Sequence, residues 1–377
     1  MMKFALSWVM LGCLAAPALA QSSSVQLFGI VDVAVSRVDG GQSNLGYFSD
    51  WQIGRPGRWN VHSASSSRLG LRGSEDLGNG LKAGFLLDHR FQPDSGTVEP
   101  RDGVSYSGGA RSYNAGFWNA QAYVSLASRE LGEIRLGRQA TPTFVLGLLS
   151  DPWGMEYSVA GLAGFTRGGN FVGASNNALL YLSPSVAGLS AQVLVGAGEG
   201  GAAATATGAP NGRNLGLGLR YQAGPLLAML AFNDSRRSDA TLNRTLAFGA
   251  TYDFGRLKGF ANYSVGQNST PGNARMTTWL LGAHVPLGSG FVRAGVGHHA
   301  PPAGYNPNSV TPGATAATTP NPYAAYPVLL GQSSTKLGLG YVYTLSRRTS
   351  LSADVGTNHT QGYSRSSGVQ GGIKHVF

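Results

Sequence analysis

The feature that most constrains this chain is its hydrophobic period. After residue 20 no run of 18 apolar residues occurs, so no helix can cross a bilayer. Apolar side chains recur instead at every second position. In 336–345, Leu337, Leu339, Tyr341, Tyr343 and Leu345 alternate with Gly338, Gly340, Val342 and Thr344. Segments 245–254, 257–265 and 214–221 repeat the pattern. A soluble antiparallel sheet alternates as well, and three details favour a membrane. The segments run to about ten residues, the length a tilted strand needs to span hydrocarbon. The polar face is small and hydrophilic, as in a water-filled lumen. Tyr252, Phe254, Tyr341, Tyr343 and Phe377 sit near strand ends, where an interfacial girdle belongs.

Composition closes other routes. Glycine supplies 56 of 377 residues, about twice the usual share, which a helical bundle would not tolerate at about 1 kcal/mol per interior site. Charged residues are 12% and aromatics 10%, the opposite of a disordered chain. Sixteen segments are predicted as strands, near 24–37, 61–73, 80–92, 117–127, 131–139, 176–184, 188–197, 213–223, 225–234, 243–254, 257–267, 275–286, 290–299, 333–345, 348–358 and 367–377. Tight turns alternate with long loops near 38–60, 93–116, 140–175, 198–212 and 300–332, the asymmetry of an outer-membrane barrel. The proline-rich 300–332 also reads as a domain linker, but alternating strands resume beyond it.

The first twenty residues read as a secretory signal: Lys3, an apolar stretch 4–16, and Ala18-Leu19-Ala20 before the cleavage point. Lipoprotein processing at Cys13 would leave that Ala-Leu-Ala unexplained. The domains are therefore a signal peptide, 1–20, and a barrel, 21–377. Losing Lys3 lowers the net charge from +10 to +9.

Several stretches resemble the general porins of β-proteobacterial outer membranes, the neisserial and Burkholderia type. They are Ser24-Val25-Gln26-Leu27-Phe28-Gly29-Ile30-Val31-Asp32, Ser67-Arg68-Leu69-Gly70-Leu71-Arg72-Gly73-Ser74-Glu75-Asp76-Leu77-Gly78, Gln121-Ala122-Tyr123-Val124, Leu136-Gly137-Arg138-Gln139, Tyr343-Thr344-Leu345-Ser346-Arg347-Arg348-Thr349 and Gly372-Ile373-Lys374-His375-Val376-Phe377. The resemblance implies an all-β fold, a 16-stranded antiparallel transmembrane barrel whose third loop, about 140–175, folds inward. It implies a homotrimer in the outer membrane of a Gram-negative bacterium, surrounded by outer-membrane lipid and lipopolysaccharide. Phe377 becomes the signal read by the barrel-assembly machinery. Wall bases Arg68, Arg72, Lys82 and Arg138 are expected to face the loop acids Asp151 and Glu156 across a pore constriction. Where the family often has arginine, Ala120 and Ala174 stand, and Arg167 is a candidate substitute.

Alternation independently puts Arg68, Arg72, Lys82, Arg135, Arg220, Lys258, Arg293, Lys336 and Lys374 on the lumen face, opposed by Asp32, Asp88, Glu133, Asp253 and Asp354. A charge on the lipid face would cost about 2–4 kcal/mol at the midplane. The seven histidines fall in no metal-ligand or hydrolase spacing. The bases are spread along strands rather than clustered for nucleic acid. The expected activity is passive diffusion of small hydrophilic solutes and ions, with an anion preference, no cofactor and no catalysis. A substrate-specific channel and a non-conducting adhesin remain the alternatives.

Overall fold

The computed structural model describes residues 23–40, 57–99, 104–107, 110–113, 116–166, 173–198, 213–236, 242–268, 274–300, 333–361 and 364–377. The signal segment, Arg167 and residues 301–332 of the proline-rich loop lie outside them. The strands are β1 (Ser23–Asp39), β2 (Trp59–Ser63), β3 (Ser67–Gly78), β4 (Leu81–Phe91), β5 (Val104–Ser107), β6 (Ala110–Tyr113), β7 (Gln121–Ser128), β8 (Gly132–Ala140), β9 (Ala174–Leu182) and β10 (Leu189–Gly196). They continue as β11 (Asn214–Ala223), β12 (Leu226–Arg236), β13 (Leu242–Asp253), β14 (Lys258–Asn268), β15 (Ala274–Leu287), β16 (Gly290–Ala300), β17 (Ser334–Thr344), β18 (Thr349–Thr360) and β19 (Ser366–Val376). All but the β5–β6 hairpin belong to one antiparallel sheet, and β1 pairs with β19, so the sheet closes on itself. Closure is what lipid demands, since an unpaired edge in hydrocarbon costs several kcal/mol per backbone group.

The sheet has 17 strands but 16 staves. Both β2 and β3 pair with β1: Val33 faces Ser63, while Ile30 faces Arg68. Three steps along β1 thus match five along its partner, so two extra residues bulge out of a single stave. The sequence pattern predicts one unbroken strand over 61–73. The break falls in the serine-rich run Ser63-Ala64-Ser65-Ser66-Ser67, where no apolar alternation holds the register.

Leucines of β11 show the logic of the wall: Leu215, Leu217 and Leu219 are 40–49% exposed outward, and Gly216 and Gly218 face in. At the short-turn end Asn79 (φ 52°) stands between Gly78 and Gly80, both also at positive φ. Three left-handed residues in a row reverse the chain between β3 and β4 without a loop.

The loop joining β8 to β9 turns into the lumen. It contains a helix, α1 (Pro142–Ser150), and a single 3₁₀ turn (Ala163–Phe165). Thr141 caps α1 by accepting from the Phe144 amide at 3.2 Å, and proline opens the first turn. Inward-facing glycines make room for it. A side chain on Gly216 or Gly249 would strike Pro142 or Ser150 of α1. Further round, Gly282, Gly295, Gly338 and Gly356 stand in register across β15–β18. Pro152, Trp153, Val159 and Ala160 of the loop lie directly on that row. The apolar cluster Trp153, Ala160, Leu162, Phe165 and Leu280 is consequently sandwiched between loop and wall.

The barrel is fastened at its last residue. Phe377 and Gly29 exchange backbone hydrogen bonds, both 3.0 Å, and the Phe377 ring occupies the space over Gly29. Deleting Phe377 should therefore reduce the folded, heat-modifiable fraction in outer membranes, measured by the gel shift between unboiled and boiled samples. Wild-type amounts of shifted protein would contradict this.

Candidate functional site

The candidate site is the lumen at the level of the inward loop. The loop lies against β11–β19 and β1, leaving β3, β4 and β7–β9 as the open wall. Two charged groups result, with different jobs.

The first group holds the loop. Arg293, on β16, donates from Nε and Nη2 to Asp354 on β18 at 3.0 and 2.8 Å, and from Nη1 to Glu156 of the loop at 2.7 Å. Lys374 donates to Glu156 and lies 3.3 Å from Asp32. Asp354 also accepts from Trp153 Nε1 at 3.2 Å and Ser158 Oγ at 2.9 Å. The Trp153 ring sits beneath the guanidinium, 5.4 Å away. Arg293 and Asp354 are 4% and 2% exposed, so this is a buried, fully bonded network, the only kind that offsets its desolvation. Burial pushes the Glu156 carboxyl up, but the charges of Arg293 and Lys374 outweigh it and hold it below its ordinary range. A depressed carboxylate stabilises above the usual carboxylate pKa and loses that contribution only as pH falls through the lower folded value.

Asp151 does something else. Its carboxylate accepts from the backbone N–H groups of Trp153 and Met155 at 3.0 and 2.9 Å, closing the turn after α1. Burial pushes it up to about 6. Both acids expected at the constriction thus bind the loop to the wall or to itself. The bases that meet Glu156 are Arg293 and Lys374, from the loop's own side.

The second group lies on the open wall. Arg68 and Arg90 are direct cross-strand neighbours on β3 and β4, an arrangement of like charges that must be compensated. Asp88 lies 3.7 Å from Arg90. Glu99, just beyond β4, is 1% exposed and accepts from Tyr157 Oη at 2.9 Å and Ser66 Oγ at 3.1 Å. Burial raises the pKa of both Glu99 and Tyr157. Asn119 braces the cluster, bonding the Arg90 backbone at 2.7 and 3.1 Å and the Glu99 carbonyl at 2.8 Å. The bulge also receives the loop here: the Tyr157 amide donates to the Ala64 carbonyl at 2.7 Å.

Arg72 faces the lumen two inward positions from Arg68 toward the short-turn end, bonded to Gln26 at 3.0 Å and lying over the Phe28 ring. Lys82 is opposite Asp76 beside the β3–β4 turn, at the mouth and away from the loop. Arg138 is a correction. Its register partner is Ala122, on the row that carries lipid-exposed Val124 and Leu126. It therefore leaves the outer side of β8, bonded to the Asn119 carbonyl at 3.1 Å and to Asn176 Oδ1. Ala120 and Ala174 are buried. Arg90 and Glu99 escaped the sequence reading. Arg90 shares its parity with Lys82 and could have been found by counting; Glu99 sits outside any periodic segment.

A family model described as Gram-negative porin matches residues 5–363. The chain is 30% identical over 408 residues to outer membrane porin protein 32 of Delftia acidovorans, covering 98% of this chain and 99% of that one. It is 28% identical over 386 residues to an outer membrane porin protein of Bordetella pertussis, covering 94% of each. Among solved structures, the anion-selective porin from Comamonas acidovorans superposes with a TM-score of 0.67 at 24% identity, covering 94% of this chain and 100% of that one. The trimer form of Vibrio cholerae OmpT gives 0.62 at 10% identity, with the same coverage.

Removing Arg293 would leave Asp354 and Glu156 buried without their main partner, a loss of about 3–5 kcal/mol. Arg293→Ala should release the inward loop while the barrel still folds. Single-channel recording is expected to show larger, noisier conductance, with Arg293→Lys intermediate. Unchanged conductance in Arg293→Ala would refute the anchoring role.

Proposed function

The chain belongs to the Gram-negative porin family, and on that footing we propose an anion-preferring general diffusion channel that works as a homotrimer. It is an outer-membrane barrel, and its lumen passes small hydrophilic solutes and ions. The observation that carries the selectivity is an imbalance. The loop's two acids are engaged in holding the loop, whereas the open wall carries Arg68, Arg72 and Arg90 against Asp88 and Glu99. Basic side chains around a narrow aqueous passage raise the local concentration of anions. Screening beyond about 8 Å at physiological salt confines the effect to the narrow level. Charges at the mouth, such as Lys82, therefore count for less. Arg138 drops out of the constriction proposed here, and Arg90 takes its place.

The trimer is supported by the trimeric form of the similar Vibrio protein. Export through removal of residues 1–20, and recognition of Phe377 by the assembly machinery, complete the reading.

In a KCl gradient across a planar bilayer, the wild-type reversal potential should have the anion-selective sign. Arg68→Ala combined with Arg90→Ala should shift it toward cations, and Arg138→Ala should leave it in place. A cation-selective wild type would overturn the reading. Saturable block by one solute would instead make the pore substrate-specific.

A further inference from the structure

The open wall of the lumen is not uniformly polar. On β1, β3 and β7, Leu27, Leu69 and Val124 are exposed to lipid, so the residues alternating with them face inward. Among the inward residues Phe28 and Tyr123 are large, apolar in the body and half-buried. Leu86 of β4 joins them, because its cross-strand neighbours are the inward Arg72 and Tyr123. An aqueous passage asks for small polar residues at such positions. The Phe28 ring instead lies over Gly70, in the gap between Arg68 and Arg72. Arg72, Leu86 and Tyr123 form one row on three consecutive strands, about 10 Å from end to end at ordinary strand spacing.

Each ring of this strip carries a guanidinium. Arg72 lies 5.4 Å over Phe28, and Arg135 lies 4.9 Å over Tyr123. Stacking of this kind holds a guanidinium plane against the wall. The two differ in how their charge is met. Arg135 gives both its bonds, 2.8 and 2.9 Å, to Glu133. Arg72 is bonded to the neutral amide of Gln26 at 3.0 Å and stays exposed to the lumen. Arg72 therefore offers a charged fork, Leu86 offers hydrocarbon beside it, and Tyr123 bounds the hydrocarbon on the far side. A planar ring bearing one carboxylate has the complementary layout.

We infer that this strip is a weak binding subsite for aromatic monocarboxylates, the carboxylate meeting Arg72 and the ring lying over Leu86 against Tyr123. Guanidinium and carboxylate match in a fork geometry. Small inorganic anions lack the apolar part and neutral aromatics lack the charge, so neither gains both contacts. The inference rests on the anion-channel reading and adds a class of solute to it. One ring face on an open wall is a modest hold, which a conducting pore requires, since a bound solute must also leave.

The test uses the full-length protein in planar bilayers. Chloride current through single channels is titrated with benzoate, 4-hydroxybenzoate, acetate and benzyl alcohol. Both aromatic acids should reduce the current at concentrations about tenfold lower than acetate, the factor expected from laying one ring face on hydrocarbon. Benzyl alcohol should act no better than acetate. Leu86→Ser should bring the aromatic acids to within about threefold of acetate. Arg72→Gln should weaken the aromatic acids by about fivefold or more, through loss of the charge-assisted bond. Lys258→Gln removes a base that lies 5.2 Å over Phe260 on the loop's side, and the block should persist in it. Block is expressed relative to each variant's own chloride current, so a variant that gives a reading has folded. Equal block by acetate and benzoate in the wild type would overturn the inference. Undiminished block in both Leu86→Ser and Arg72→Gln would do the same, as would block by one aromatic acid alone or its loss in Lys258→Gln. Those results leave the anion-selective sign of the reversal potential standing, whereas a cation-selective wild type would overturn both readings.

Discussion

The pore depends on one buried guanidinium. Arg293 is gripped by Asp354 from the wall and Glu156 from the loop, with Trp153 beneath it. A barrel of this size is open by default, because its inward side chains cannot fill it. Something must cross the lumen, and whatever crosses must be held to the wall. Here small apolar clusters between loop and wall are joined by ion pairs that the loop itself shields from water. The loop acids are thereby withdrawn from the passage, and the three arginines across it are opposed only by Asp88 and Glu99 of their own side.

Glycine makes that arrangement sterically possible. Gly282, Gly295, Gly338 and Gly356 lie side by side on neighbouring strands, and the loop backbone rests where their side chains would be. Glycine costs strand stability, and the hydrogen bonds of a closed ladder offset that cost. The small-residue face that alternation alone reads as a wetted lumen is thus, over much of its height, a seat for the loop.

Strand placement was legible because it rests on a period of two imposed by lipid on one side and water on the other. That pressure is strong on every outward leucine, so all sixteen staves could be read along the chain. It is absent where the wall is buried on both faces. The serine-rich bulge at Ser63–Ser67 lies behind the loop, and no alternation betrays the break there. The helix of the loop had a local signal in Thr141-Pro142, a cap followed by a first-turn proline, but no amphipathic period, since the helix is apolar almost all round. Arg138 illustrates a different failure. Counting from inward Arg135 puts it outside, whereas a matching motif carries no information about parity. The partners of Glu156 could not be foreseen, because β16 and β19 meet the loop only through the curvature of the closed wall.

The clasp between Gly29 and Phe377 sets the order of events in folding. Strand β1 is made early, yet one half of its pairing comes from β19, more than 300 residues further along the chain. No local hairpin can substitute for that contact. Until Phe377 meets Gly29 the sheet is an open ribbon with two bare edges, each able to pair with a foreign strand. Ring closure is then a single contact of nearly maximal sequence separation, the slowest kind to form. A chain built this way spends its vulnerable period complete in composition and incomplete in topology, and must be kept apart from its own copies until the two ends meet.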